Sequence, residues 1–131
     1  MKTPTFDADG KDKTTFAPFM LVDGRNSKWK DVRLSFHDWA WFDTKYATDK
    51  IDGYYLNGCG IQGLVQAARV AAGLPTEAEG IHYDSEGDTC FMHFTDFDEA
   101  VRTAELAAEM INDPAKLREM IRVARENGLE D

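Results

Sequence analysis

Two cysteines, four prolines and no long apolar run are what this 131-residue chain has little of, and each scarcity excludes something. A membrane-crossing helix needs roughly 18 or more consecutive apolar residues. No segment here approaches that, so no membrane partner is expected. Small secreted scaffolds are stapled by several disulfides, whereas Cys59 and Cys90 read as two reduced thiols of a cytoplasmic protein. Residues 1–15 set Asp7, Asp9 and Asp12 among lysines without an apolar stretch, which is unlike a secretory signal. Repeats, low-complexity tracts and interdomain linkers are also missing.

Basic residues are scarce in one place only. Residues 1–60 hold nine basic and nine acidic side chains, but residues 76–113 hold eleven acidic ones against the single Arg102, and the net charge is -9. A field this concentrated repels nucleic acid and anionic lipid and speeds encounter with basic proteins. The plainer use of the same charge is a solvated face that keeps the protein soluble. At 43% apolar residues the chain is too hydrophobic for disorder. A domain of this length buries roughly two thirds of its unfolded surface, enough for a core without staples.

The pattern along the chain predicts an α+β domain over residues 14–131 behind a flexible segment, residues 1–13. Strand composition near 14–22 ends in the turn Asp23-Gly24-Arg25-Asn26 and is followed by a second strand near 31–37. The aromatics from Trp39 to Tyr55 follow no single period, which suggests a turn or short helix and then a strand near 53–56. Ile61, Leu64, Val65 and Ala68 share a helical face, and Gly73 and Pro75 end that helix. Residues 80–85 and 88–95 read as a tight hairpin around Glu86-Gly87. Its register puts Ile81, Tyr83, Cys90, Met92 and Phe94 on one face and His82, Asp84, Thr89, Phe91 and His93 on the other. Asp96 with Glu99 opens a helix ending near Asn112, and Asp113-Pro114 opens another that Gly128 stops. The expected architecture is an antiparallel sheet with about three helices packed mainly on one face.

Several constellations invite a chemical reading. Gly58-Cys59-Gly60-Ile61-Gln62-Gly63 matches the G-x-G-x-x-G turn that lets backbone amides approach a pyrophosphate at a helix amino terminus. A nucleotide-binding enzyme or sensor using Gly58, Gly60 and Gly63 is therefore the alternative function. That motif belongs in a parallel sheet, while this one leads into an antiparallel hairpin, so a glycine-rich strand-to-helix junction is the simpler use. His82 and His93, diagonal neighbours on the exposed hairpin face in this register, could ligate a metal with Asp84, but an open sheet face makes a poor site, and no metal or cofactor is expected. Cys90 falls on the buried hairpin face and Cys59 lacks a partner base, so neither is expected as a nucleophile and no enzyme activity is expected. Asp84, Glu86 and Asp88 at a hairpin tip are ordinarily solvated acids. Trp39, Trp41, Phe42, Tyr54 and Tyr55 fill a core when buried and anchor an interface when exposed.

The segment Tyr54-Tyr55-Leu56-Asn57-Gly58-Cys59-Gly60-Ile61-Gln62-Gly63-Leu64-Val65, followed by Ile81-His82-Tyr83-Asp84-Ser85-Glu86-Gly87-Asp88-Thr89-Cys90-Phe91, resembles immunity protein family 51 of bacterial polymorphic-toxin systems. The resemblance covers about residues 53–125. The family favours an aromatic shortly after the Asn-Gly turn, where this chain has Ile61 and Gln62. It implies a small α+β protein made beside a toxin and binding it tightly enough to block it. No catalytic residues carry over, and Asn57, Gly58 and Glu86 carry over as motif positions. Together with the charge, this makes the expected partner a cognate, basic protein toxin, met through Asp84, Glu86, Asp88, Asp96, Asp98 and Trp41, with Asn57, Gly58 and Gly60 as the structural turn.

Overall fold

The computed structural model describes residues 2–130. Among the described residues the fold is α+β, with a five-stranded antiparallel sheet, a two-stranded ribbon and four helices. Chain order runs β1 (Lys11–Asp12), β2 (Met20–Gly24), β3 (Asp31–Phe36), α1 (Trp39–Tyr46), β4 (Lys50–Ile51), β5 (Tyr54–Tyr55), α2 (Gly58–Ala71), β6 (Ile81–Tyr83), β7 (Cys90–Phe94), α3 (Phe97–Asn112) and α4 (Pro114–Glu126). In the sheet the order is β1-β2-β3-β7-β6. None of these helices is long and apolar enough to cross a membrane.

Alternation decides which face is covered. Leu21, Val32, Leu34, Phe36, Ile81, Cys90, Met92 and Phe94 are buried beneath α2 and α3, with α4 packed chiefly on those two helices. The expected hairpin face is the buried one, with Tyr83 at its margin. Helix stripes complete the core: Ile61, Leu64 and Val65 from α2, Val101, Ala104 and Ile111 from α3, Leu117, Ile121 and Ala124 from α4. Carboxylates and amides at each start meet the orphan N–H groups of the first turn. Asp38, Asn57, Asp96 and Asp113 accept from Trp41, Gly60, Glu99 and Ala115 respectively.

The structure departs from the expected pattern in three places. Residues 2–13, expected to be a flexible tail, contain a strand: Lys11–Asp12 pairs with Leu21 and Val22. Asp12 is buried, accepting N–H bonds from Thr5, Thr14 and Thr15. Local polarity hid this, because a buried carboxylate with that many donors is a structural element and not a solvated charge. The strand expected from residue 14 starts at Met20, since residues 14–19 form turns in which Ala17 N–H donates to Thr14 O (3.3 Å) and Phe19 N–H to Phe16 O (2.9 Å). Tyr54–Tyr55 leaves the main sheet and pairs with Lys50–Ile51, while the turn or short helix expected before it is the helix α1.

Candidate functional site

Beyond β6 the hairpin narrows to a tip. Asp84 N–H donates to Phe91 O (2.9 Å), Phe91 N–H donates to the Ser85 hydroxyl (2.9 Å), and Glu86 N–H donates to Thr89 O (2.8 Å). The tip is braced from two sides. Gly58 N–H, at the start of α2, donates to Gly87 O (2.9 Å), and the Trp39 indole Nε1–H donates to Asp88 O (2.7 Å). The Cys59 thiol lies 3.7 Å from Ser85 O. Glu86 and Asp88 are exposed, and the Asp84 side chain keeps 79% of its accessible surface. A rigid backbone therefore carries three carboxylates into solvent.

The glycines of the G-x-G-x-x-G pattern are taken up by this packing. A Cβ on Gly58 would lie 2.0 Å from Glu86 O, one on Gly60 2.0 Å from Tyr55 O, and one on Gly63 2.6 Å from Leu129 O. Gly60 N–H is held by the Asn57 side chain (2.8 Å) and Ile61 N–H by the Asn57 carbonyl (2.8 Å). With Gly58 N–H on Gly87 O, these three amides are engaged within the chain and not turned to a pyrophosphate. The strand before the turn is a two-residue antiparallel piece outside the main sheet, not the central parallel strand the motif requires. Asn57 and Gly60 hold the turn itself, and Gly58 is the residue that meets the tip.

The six expected contact residues do not form one patch. Asp84, Glu86 and Asp88 come together. At the other end of β7, Asp96 caps α3, and Asp98 lies in the first turn beside Arg25, whose guanidinium sits 4.0 Å over the Phe97 ring. Trp41 is half-buried, its ring near those of Phe36, Phe42 and Tyr46, and it lines a recess of about 390 Å³ with Lys13, Pro18 and His37. Trp39, which the sequence marks only as one of a group of aromatics, is the tryptophan that touches the tip.

The uncovered sheet face carries a second feature. Arg33, His93 and His82 lie side by side across β3, β7 and β6. The two histidines are directly opposed, not diagonal as the expected hairpin register had them. Asp31 accepts from His93 Nδ1 (2.8 Å) and from Arg33 Nε (3.2 Å). Burial pushes the Asp31 carboxyl up, but the bonds and charges of His93 and Arg33 outweigh it and hold it below the ordinary range. These residues line a groove of about 680 Å³ with Trp29, Asp84 and Phe91. Asp31 and Arg33 alternate within an expected strand, so their shared face was readable, but their neighbour His93 was not. Cys90 is fully buried, which pushes its thiol up to about 12 and removes the thiolate needed for nucleophilic chemistry.

Comparison with family models, with curated proteins and with solved structures finds no match to the chain.

Proposed function

We propose that the chain is a cytoplasmic immunity protein that binds and neutralises a cognate bacterial toxin, setting an acidic surface against the active site of a basic partner. The observation that carries this is the braced tip. Exposed carboxylates on mobile loops lose part of their binding energy to ordering, whereas Glu86 and Asp88 stand on a backbone already fixed by Gly58 and Trp39. Preorganised charge of one sign also steers a partner of the opposite sign. The resemblance of the Asn57-Gly58 turn and the Glu86 hairpin to family 51 supports the same reading.

The test is a pull-down of the tagged protein from the cells that make it, at low and at moderate salt. One dominant basic partner is expected. It is expected to be lost in a triple variant, Asp84→Asn, Glu86→Gln and Asp88→Asn, whose thermal unfolding matches the parent. Undiminished capture by that variant overturns the acidic interface, and a blank at both salts overturns the immunity reading itself.

A further inference from the structure

We infer that the groove on the uncovered sheet face, continuous with the acidic tip through Asp84, receives an arginine side chain of the basic partner. This rests on the proposed function and names the chemistry of one part of its interface.

The Asp31 carboxylate, 2.8 Å from His93 Nδ1, places a proton on that nitrogen, and in the neutral form of the ring Nε2 then presents a lone pair. Nε2 lies 3.9 Å from Asp84 Oδ2. That is too long for a hydrogen bond, and in this state both atoms are acceptors. A donor placed about 2.9 Å from each would see them at an angle of about 85°, within reach of one N–H group or of two on the same guanidinium. The two acceptors are thus arranged for a donor supplied from outside the chain.

Charge selects a cation. Asp31 and Arg33 neutralise one another through their bond, which leaves the Asp84 carboxylate as the uncompensated charge among the groove's fixed charges. Glu86 and Asp88, just beyond it, add to the attraction. The surroundings then favour arginine over lysine. Phe91 packs its ring 4.7 Å from that of His93; Trp29, 66% exposed, stands in the wall of the same groove with Lys28 Nζ already 4.7 Å from its ring centre, so Phe91 is the aromatic assigned to the incoming group. A planar guanidinium stacks on aromatic faces while its N–H groups fork toward two acceptors, and an ammonium does neither as well. Arg33 is tied through its Nε to Asp31 (3.2 Å). A groove of about 680 Å³ accepts the side chain together with part of the loop that bears it.

The experiment titrates the full chain, at low salt, with three unstructured peptides alternating glycine with arginine, with lysine or with citrulline, and follows the His93 ring resonances by NMR. The arginine peptide is expected to move them, the lysine peptide to bind several-fold more weakly and the citrulline peptide not to bind. His93→Gln and Phe91→Leu, which leave every tip carboxylate in place, are each expected to weaken the arginine peptide by about threefold to tenfold. Binding unchanged in both variants, or His93 resonances that do not move, overturns the groove. If binding is then lost only in Glu86→Gln with Asp88→Asn, the acidic tip stands without the groove. If the groove variants weaken the peptide but Glu86→Gln with Asp88→Asn leaves the captured partner undiminished, the tip fails on its own.

Discussion

Gly58 shows how a single missing methyl group can hold a surface in place. Its amide bonds the tip at Gly87 O, and the approach is so close that a Cβ would sit 2.0 Å from Glu86 O and 2.6 Å from Thr89 O. Both are backbone atoms, so relief requires moving the tip away from α2. Gly58→Ala is therefore expected to cost about 1–3 kcal/mol, the range for overpacking, and to displace the hairpin. Gly87→Ala is the matched control: nothing lies within 4 Å of the place its methyl group would take, and its φ is not in the left-handed region. It should change stability by no more than about 0.5 kcal/mol. Chemical unfolding of the two variants checks the pair. Equal stability would mean that the tip yields without loss and is not braced as described.

At the scale of elements, α2 and α3 are joined through a buried cation. Arg69 is 1% exposed; its Nη1 donates to Glu99 (2.5 Å) and Thr103 (2.8 Å), and its Nε donates to Pro75 O (3.0 Å). Nη2 has no hydrogen-bond partner among the described residues. The two sides of this pair are unequal, because the Glu99 side chain keeps 32% of its exposure and water can take over its solvation. Glu99→Ala leaves a buried guanidinium uncompensated and is expected to cost about 3 kcal/mol or more. Arg69→Met removes the orphaned donor together with the charge and is expected to cost clearly less, about 1–2 kcal/mol. Denaturant midpoints at constant slope decide it, and the reverse order would show that the cation and not its desolvation dominates. Elements such as these were readable where the signal is local. The α3 and α4 boundaries follow from Asp96, Asp113 and Pro114, and the hairpin face from strict alternation. What the sequence does not carry is adjacency. Nothing local to Asp31 says that His93 stands beside it, and nothing local to Trp39 says that its indole reaches Asp88. The site is built from such pairings, so its acids were legible while its braces were not.

Over the whole molecule, the charge that serves recognition also sets the response to acid. With a net charge of -9 and an isoelectric point near 4.7, lowering the pH from neutrality first relieves self-repulsion. Below that, carboxylates that the fold has engaged must take up protons. Burial raises the carboxyl of Asp12, but the hydrogen bonds it accepts from Thr15, Thr5 and Thr14 outweigh that and hold it below its ordinary 3.8; Asp31 is lowered in the same sense. A group lowered on folding contributes stability that is complete above its unfolded value and is lost as the pH falls through its folded one. The midpoint of thermal unfolding should therefore hold or rise from pH 7 toward pH 5 and fall below about pH 4. Asp12→Asn with Asp31→Asn should be less stable than the parent at neutral pH and show a shallower loss on the acid side. Melting curves at successive pH values, at constant ionic strength, separate this from general charging. If parent and variant fell in parallel below pH 4, the acid response would belong to the net charge, and the carboxylates that tie down the amino-terminal strand and orient His93 would have no special part in it.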